Sequence, residues 1–262
     1  MAKVGVAAVE RALTVLDAFT ERDHSLTLTE ISQRTRLYKS TILRLSESLT
    51  KFGYLYRLDD GSFRLGPKPL QLGALYQRHF RTADVVPRSL RNLVEELGES
   101  ASFYIRDGER RVCLHRIDSP RSIRDTVHEG DTLPLTVGAS GHVLLAFSGH
   151  PGERYDAIRE RLFAASSGER DQETASIAAP VFSPNQRLNG ALTLSGPRYR
   201  LEELSSEKVL PVLFKEAREL TRAFGGNPEV FPGEAQPMNA SGYPRLWPGT
   251  RAGAVAPRKA AR

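Results

Sequence analysis

The sequence contains a single cysteine, Cys113, among its 262 residues. One cysteine cannot form a disulfide within the chain, and it cannot supply a cysteine-clustered metal site. Low cysteine usage is typical of proteins that work in a reducing compartment, so we expect a cytoplasmic protein.

Long apolar runs are missing as well. No window approaches the roughly 18 uninterrupted apolar residues of a membrane span, and the first residues, MAKVGVAAVERAL, lack the apolar core of a signal peptide. Apolar residues nevertheless make up 40% of the chain. The length and this composition predict one large or two ordinary domains with real cores.

The residue patterns of common enzymes are also absent. None of the six histidines stands in a zinc-binding pattern with a carboxylate, and Ser140 is not flanked like the serine of a nucleophile elbow. Cys113 and His115 share one face of a predicted strand, which leaves a reactive pair or a small core cysteine as interpretations. We therefore expect no enzyme, no cofactor and no metal.

The charge balance points to an anionic partner. Lysine and arginine exceed aspartate and glutamate, which gives a formal net charge of +6. Such a balance favours an anionic partner such as nucleic acid without proving one.

Helical patterns open the chain. Apolar residues at Val9, Leu13, Leu16 and Phe19 predict a first helix that ends near Thr20. A second helix over residues 30–35 is predicted to begin after Thr29, whose hydroxyl can cap its first turn.

The stretch over residues 35–49 predicts a turn at Arg36 and Leu37 and then a third, amphipathic helix, which opens at Lys39 and runs to about Phe52. Leu37, Ile42, Leu45 and Leu49 form one apolar stripe. Polar and cationic side chains are left near the outward N-terminal end. This pattern fits a recognition helix in the DNA major groove, but by itself it fits an ordinary solvated basic face equally well.

The residues that follow favour DNA binding. Two short alternating runs, residues 54–58 and 63–66, flank an Asp-Asp-Gly-Ser turn and predict a β-hairpin. Helices followed by a hairpin predict a winged helix-turn-helix over residues 8–66. The side chains expected to contact DNA are Tyr38, Lys39, Ser40, Thr41, Arg44, Arg57 and Arg64.

These residues carry a resemblance. The segments ERALTVLDAF, LTEISQRTRLYKSTILRLSESLTKFGYL and DDGSFRLGPKPLQLG resemble the N-terminal domain of the IclR family of bacterial transcription regulators. That family commonly has Leu-Pro-Lys-Ser-Thr at the start of its recognition helix, and here Tyr38 replaces the proline. The resemblance implies a DNA-binding regulator. The departure at Tyr38 predicts a groove contact that is specific to this chain.

Residues 67–81 predict a linker helix. Leu72, Leu75, Tyr76 and Phe80 give it an apolar face that must be covered. The resemblance implies that a second subunit covers it, which makes a homodimer or tetramer.

Residues 82–225 predict an α+β domain with an antiparallel sheet. A helix over residues 85–97 precedes a hairpin over residues 100–117. The other predicted elements are a strand at 122–128, a small-residue loop at 136–142, a helix at 143–147, strands at 175–182 and 188–196, and a helix at 202–224.

This region resembles the effector-binding domain of the same family, whose sheet is like that of GAF and PAS sensors. The motifs are LHRIDSPRSIRDTVHEGDTLPLTVGASGHVLLAF, SIAAPVF and GALTLSGPRYRL. The resemblance implies an effector pocket, and exposed backbone N–H groups at a helix start suit a carboxylic acid. The alternative for the loop is a tight turn that needs small residues for packing. The implied pocket residues are Ala139, Ser140, Ser166, Ser176, Thr193 and Ser195.

Two segments depart from this picture. Between residues 150 and 165 the chain lacks two or three helical turns and a Thr-rich segment that most members of the family carry, which puts the closure of the pocket in question. Residues 226–262 are rich in Pro, Gly and Ala and are predicted to be disordered. The interpretations of this tail are a functionless extension and a basic segment that adds affinity for DNA.

Together these features predict a sequence-specific DNA-binding regulator controlled by a small-molecule effector. The alternative is a ligand-sensing or protein-interaction module that has lost effector-responsive DNA binding.

Overall fold

The computed structural model divides the chain into two compact units, Met1–Phe80 and Arg81–Arg262. The division falls at the end of the predicted linker, residues 67–81. Among the residues described, no helix is long and apolar enough to cross a membrane. The described residues are 5–20, 22–79, 82–232 and 246–247.

The first unit contains helices and a short hairpin that follow the predicted segments. Its helices are α1, Ala7–Leu16; α2, Leu28–Thr35; α3, Lys39–Lys51; and α4, Lys68–His79. Its strands are β1, Leu55–Arg57, and β2, Phe63–Leu65, which pair antiparallel.

One apolar cluster holds these elements together. Val15 of α1, Ile31 of α2 and Ile42 of α3 are fully buried, and Leu55 and Phe63 of the hairpin join them. The apolar stripes read from the sequence therefore face a common core. This is the arrangement of a winged helix-turn-helix, and the predicted fold of this unit is confirmed.

The start of α2 differs from the prediction. Its N-cap is Thr27, not Thr29: the Thr27 Oγ1 accepts from the Glu30 N–H at 3.3 Å, and a Glu30 carboxylate oxygen accepts from the Thr27 N–H at 2.8 Å. Leu26 is bridged to Phe63 by two backbone hydrogen bonds of 2.8 Å. Thr27 is therefore the first residue after the extended segment and the first that can cap a helix.

The ends of α1 and α4 also bear on the predictions. α1 ends at Leu16 rather than near Thr20. On α4, Leu70 is 77% exposed and Leu72 and Leu75 are exposed as well. Phe80 and the side chain of Tyr76, which complete the predicted apolar face, lie outside the described residues.

The second unit is a sheet between helices. Its helices are α5, Thr82–Leu97; α6, Ala139–Phe147; α7, Glu153–Arg161; α8, Arg198–Glu203; and α9, Ser206–Ala223. Its strands are β3, Ser100–Asp107; β4, Arg110–Ile117; β5, Thr132–Pro134; β6, Ala164–Ser167; β7, Thr174–Ser183; and β8, Arg187–Pro197.

The strands that the structure describes in this unit form one antiparallel sheet in the order β5-β4-β3-β8-β7-β6. Side chains alternate between its faces. Phe103 and Leu192 pack towards α5 and α9, whereas Tyr104 and Ala191 pack towards α6. The predicted α+β class with an antiparallel sheet is confirmed.

The predicted strand over residues 122–128 is not present. The segment is irregular, and the strand beside β4 at that edge of the sheet is β5. Arginine side chains form hydrogen bonds with carbonyl groups of this segment that would otherwise pair with a neighbouring strand. Arg200 donates to the Ile123 carbonyl at 2.8 Å, and Arg116 donates to the Asp125 carbonyl at 2.7 Å.

Three other boundaries move. α6 begins at Ala139 rather than at residue 143, so Ala139 and Ser140 lie in a helical turn and not in a loop. The predicted last helix, residues 202–224, is two helices, because Leu204 and Ser205 are extended between α8 and α9. The short strand β6 had no counterpart in the prediction.

Part of the predicted disordered tail is packed. Phe231, Leu246 and Trp247 are buried in the core of the second unit, and the Phe231 ring centroid lies 5.9 Å from that of Phe214 on α9. The prediction of disorder is wrong for residues 226–232 and 246–247, because scattered aromatic residues provide enough apolar surface to dock. The rest of the predicted tail lies outside the described residues.

Candidate nucleic-acid interface and effector pocket

The start of α3 gathers five of the residues predicted to contact DNA. Their side chains are exposed, except that Thr41 is half-buried. On the other side of the helix, Ile42, Ser46 and Leu49 are buried. One face of α3 therefore packs on the core while its N-terminal end projects polar groups. The five residues are Tyr38, Lys39, Ser40, Thr41 and Arg44.

Local hydrogen bonds fix how α3 leaves the turn after α2. Arg36 adopts the left-handed conformation with a φ of 59°, and the Ser32 hydroxyl donates to the Leu37 carbonyl at 2.7 Å. The Lys39 ammonium donates to the Thr29 hydroxyl at 2.8 Å, which ties the two helices together.

Tyr38 takes the conformation of the residue it replaces. It is the N-cap of α3, with a φ of −66°, the value that a proline ring would impose. Its side chain is 84% exposed. The turn is thus preserved without proline, and an aromatic hydroxyl-bearing ring stands at the tip of the helix.

The wing presents two arginines, each over an aromatic ring. Arg64 pairs with Tyr56 across the hairpin and Arg57 with Phe63. The guanidinium carbons lie 5.5 Å from the Tyr56 ring centroid and 5.9 Å from the Phe63 ring centroid. These cation–π contacts hold the arginines in place without neutralising them.

The positive charge of this surface is uncompensated. Within the described part of the first unit there is one ion pair, in which Arg34 Nη1 lies 2.5 Å from Asp23 Oδ2. Arg44, Arg57 and Arg64 are left without a carboxylate, and all are exposed. Such cations suit phosphate contacts.

In the second unit, strand register aligns the predicted hydroxyl residues. Ser166 of β6 lies opposite Ser176 of β7, and Ser176 lies opposite Ser195 of β8. These serines form a row across three neighbouring strands on the face covered by α6. The backbone N–H of Ala139, at the start of α6, donates to the Ser176 hydroxyl at 3.1 Å.

A cavity lies between this row and α6. Its volume is about 20 Å³, which is room for roughly one water molecule. Ala139 contributes its N–H to Ser176 but not its side chain to the lining. Five of the six predicted residues line the cavity, namely Ser140, Ser166, Ser176, Thr193 and Ser195.

Charged residues that the sequence did not suggest also line the cavity. They are Arg111, Asp125, Glu169 and Arg170. Arg170 is ion-paired with Asp125, which links the segment before β5 to the loop between β6 and β7.

Arg111 is a buried cation of β4. Its Nη1 donates to the carbonyl oxygens of Pro134 and Val137, the latter at 2.6 Å. Its Nε is buried without a hydrogen-bond partner among the described residues. Burial lowers the pKa of Arg111 to about 10, which leaves it charged at neutral pH.

Arg111 also explains part of the small-residue segment. A Cβ at Gly141 would lie 2.3 Å from the Leu135 carbonyl oxygen and 2.6 Å from Arg111 Nη1. Gly141 is therefore required by packing, as the alternative interpretation of this segment holds. The same contact brings a guanidinium to the first turn of α6.

Glu169 lies at the N-terminus of α6. Its carboxylate accepts from the Gly138 N–H at 2.9 Å, from His142 Nε2 at 2.5 Å and from Arg154 at 2.7 Å. Burial raises the pKa of Glu169, but these donors outweigh it and lower the pKa to about 2. The carboxylate is thus ionised at neutral pH.

The Cys113 and His115 pair is not a catalytic arrangement. Cys113 is fully buried in the sheet, and burial raises the pKa of its thiol to about 12. Its Sγ faces the His115 carbonyl at 3.7 Å rather than the imidazole. Among the residues described, no cluster of three His, Cys, Asp or Glu side chains could hold a metal ion.

Strand alternation could have indicated Arg111 but not Glu169. Arg111 and Cys113 are two residues apart, so they face the same side of β4. Glu169 and Arg170 lie in an irregular loop whose path carries no periodic signal. Only the tertiary structure brings them to α6.

Comparison with known proteins covers both units. The family model of the IclR helix-turn-helix domain matches residues 8–59, and that of the bacterial transcriptional regulator IclR C-terminal domain matches 76–155 and 152–222. The two C-terminal segments meet where the sequence predicts the shortening.

Full-length relatives agree with the family models. The HTH-type transcriptional regulator XynR of Escherichia coli is 28% identical over 251 residues, which are 84% of this chain and 98% of XynR. The crystal structure of an IclR transcriptional regulator from Silicibacter sp. TM1040 has a TM-score of 0.71 and 25% identity, and the match covers 87% of this chain and all of that one.

A further structure has the same fold. It is an IclR homologue from Microbacterium hydrocarbonoxydans complexed with 4-hydroxybenzoate, with a TM-score of 0.70 and 20% identity over 83% of this chain and all of that one. The relatives are transcription regulators and not enzymes, which confirms the expectation from the sequence. With a DNA-binding helix-turn-helix and an effector-binding C-terminal domain, this chain belongs to the IclR family of bacterial transcriptional regulators.

Proposed function

We propose that this regulator reads operator DNA with the N-terminal end of α3 and responds to a small carboxylic acid bound under α6. The observation that carries the first part is the uncompensated charge of Arg44, Arg57 and Arg64. The observation that carries the second is the row of hydroxyls that faces the start of α6.

The side chains at the start of α3 suit different parts of a DNA site. Tyr38, Ser40 and Arg44 project from the end of the helix that enters the groove in proteins of this fold. Arg57 and Arg64 suit the phosphates on either side. Exposed hydroxyls and a guanidinium can hydrogen-bond to base edges, so sequence specificity belongs to α3 and general affinity to the wing.

A second copy of the chain is the proposed partner of α4. Leu72 and Leu75 are exposed on a helix at the end of the first unit. Covering them with the same face of a second copy would place two copies of α3 on one duplex, with half-sites one helical turn or a multiple of it apart.

A carboxylic acid is the proposed effector. Backbone N–H groups and hydroxyls converge at the start of α6, and such groups favour an anion. The relative from Microbacterium hydrocarbonoxydans is complexed with 4-hydroxybenzoate, which supports this class. An effector that prefers one dimer geometry would change operator affinity by linkage.

Replacing Arg44 with alanine tests the recognition helix. We expect R44A to weaken binding by about 1–3 kcal/mol, which is roughly fivefold to 150-fold. The loss arises because an exposed guanidinium at the groove is removed, and the fold should be unaffected. The measurement is a gel shift on DNA selected from a random pool by the unchanged protein. Arg11→Ala is the matched control, since Arg11 is an exposed arginine of α1.

Unchanged affinity of R44A, or an equal loss for R11A, would remove α3 from the groove. The salt dependence of the unchanged protein gives a second measurement, because a true DNA binder weakens steeply as salt rises. Affinity that is flat in salt would favour a protein-interaction module instead.

The small cavity favours a second candidate, a regulator that binds DNA without responding to an effector. A volume of about 20 Å³ excludes an aromatic acid unless the charged lining moves. A gel shift with and without 4-hydroxybenzoate and short aliphatic keto acids separates the two candidates. No change with any acid, at constant ionic strength, favours the second.

A further inference from the structure

The carboxylate of Glu169 sits where an anionic ligand of α6 would sit. Gly138, the N-cap of α6, donates its backbone N–H to Glu169 Oε2 at 2.9 Å. His142 reaches the same oxygen, and Arg154 reaches Oε1 at 2.7 Å. Glu169 therefore satisfies the end of the helix as a bound anion would.

The surroundings of Glu169 and His142 favour a carboxylate beside a neutral imidazole. Glu169 is ionised, since its donors lower its pKa to about 2 although burial raises it. Burial lowers the pKa of His142, and its Nδ1 is buried without a partner among the described residues. His142 is thus neutral and donates from Nε2, and the neighbouring cations are Arg154 and Arg111.

Other groups of the same cavity are not satisfied by Glu169. Thr193 and Ser195 are 2% and 6% exposed, and both line the cavity. Their hydroxyl oxygens have no hydrogen-bond partner among the described residues. Buried hydroxyls without partners are unusual in native structures. They indicate a ligand that carries hydrogen-bonding groups of its own.

We propose that Glu169 is a built-in occupant of the effector's anion site, and that a ligand carboxylate binds by displacing it. This deepens the proposed function and rests on it. The ligand would be a small carboxylic acid with a second polar group, such as a hydroxy or keto acid. Its carboxylate takes over the Gly138 N–H and the His142 Nε2–H, and its second group reaches Thr193 and Ser195.

The exchange is physically balanced. One carboxylate replaces another, so no additional charge is buried when the ligand enters. Glu169 is 29% exposed and its partner Arg154 is 51% exposed, so both can turn to water together. Departure of Glu169 also opens space in a cavity of about 20 Å³.

Displacement makes the ligand compete with a tethered group. A carboxylate that the chain holds beside its own donors acts at an effective concentration far above that of a free carboxylate in solution. The unchanged protein should therefore bind a free carboxylate more weakly than a variant that lacks Glu169.

Acetate is the probe for the vacated position. We expect acetate at tens of millimolar to raise the melting temperature of Glu169→Ala and to leave that of the unchanged protein where it is, because a ligand of the folded state stabilises it. Acetamide, which has the same size without the charge, should not act. Ionic strength is held constant with sodium chloride.

Glu202→Ala is the matched control. Glu202 is 26% exposed and ion-paired with Arg198 at 2.9 Å, and its Oε1 accepts from the Ser167 hydroxyl at 2.7 Å. It does not line the cavity. Acetate should not stabilise this variant.

A second variant keeps the test valid if Glu169→Ala does not fold. Glu169→Gln keeps the side-chain size and an acceptor oxygen but not the charge. By calorimetry, we expect it to bind 4-hydroxybenzoate or pyruvate at least about tenfold more tightly than the unchanged protein.

The outcomes separate this inference from the proposed function. Equal effects of acetate on all proteins, or no gain in either Glu169 variant, overturn the displacement. A gain confined to Glu169 variants supports it even if carboxylates leave operator affinity unchanged. That last result would remove the effector role alone.

Discussion

At the scale of single residues, Thr27 and Thr29 lie two positions apart in the sequence but have different structural roles. Thr27 closes the N-terminus of α2 with Glu30, whereas Thr29 accepts a hydrogen bond from Lys39 at the surface. We expect Thr27→Ala to lower the free energy of unfolding of the first unit by about 1 kcal/mol, because a cap and its reciprocal bond are lost. Urea denaturation followed by far-UV circular dichroism measures it.

Thr29→Ala is the comparison within the same turn. An exposed side chain of this kind should change stability by no more than about 0.5 kcal/mol. A larger loss for T29A than for T27A would contradict the capping box and restore the assignment made from the sequence.

The residues of the two candidate sites differed in how well they could be predicted. Lys39, Ser40 and Arg44 follow from helical periodicity, because an amphipathic helix separates buried from exposed positions. The contacts of Glu169 depend on the path of an irregular loop, which no local pattern encodes. The family resemblance therefore named hydroxyls that line the cavity, whereas the charged residues of its lining were not predicted.

At the scale of elements, the secondary-structure predictions were wrong where side-chain contacts, rather than local backbone preference, decide the conformation. Residues 122–128 alternate like a strand, yet Arg116 and Arg200 bind their carbonyl groups. The sequence predicted a loop at Ala139, Ser140 and Gly141 because these residues are small. They are instead the first turn of α6, which is buried from Ala139 to Ala146 and has no room for a larger side chain at Gly141. Tertiary contacts overrode the local preference in both segments.

The exposed face of α4 gives a prediction at this scale. We expect the unchanged protein to sediment as the proposed dimer, and the variant with both Leu72→Glu and Leu75→Glu to sediment as a monomer, because buried charge opposes an apolar interface. Operator affinity should fall with it.

The control is Ile123→Glu, a change of the same kind at a side chain of the second unit that is 64% exposed. It should leave sedimentation unchanged. A dimer that survives the double change on α4 would move the subunit contact elsewhere.

At the scale of the whole molecule, the division into two units was predictable, because a helix-rich basic segment gives way to a strand-rich one near residue 82. The tail was not. Its composition is that of a disordered chain, but Phe231, Leu246 and Trp247 are buried in the core of the second unit. A few large apolar residues are enough to order a segment, but the average composition of the segment does not reveal them.

Trp247 has an optical consequence. It is the one tryptophan of the sequence, and it is 4% exposed in the core of the second unit. Tryptophan fluorescence therefore reports on the second unit, whereas circular dichroism sums over both. We expect the emission to move to longer wavelength when the second unit unfolds in urea.

With Thr27→Ala, the fluorescence signal tests whether the two units unfold independently. If the units unfold independently, the variant should shift the circular dichroism transition and leave the fluorescence midpoint where it was. A fluorescence midpoint that moves with a change near α2 would contradict independence. In that event the fluorescence of Trp247 is an intrinsic probe of how strongly the folding of the two units is coupled.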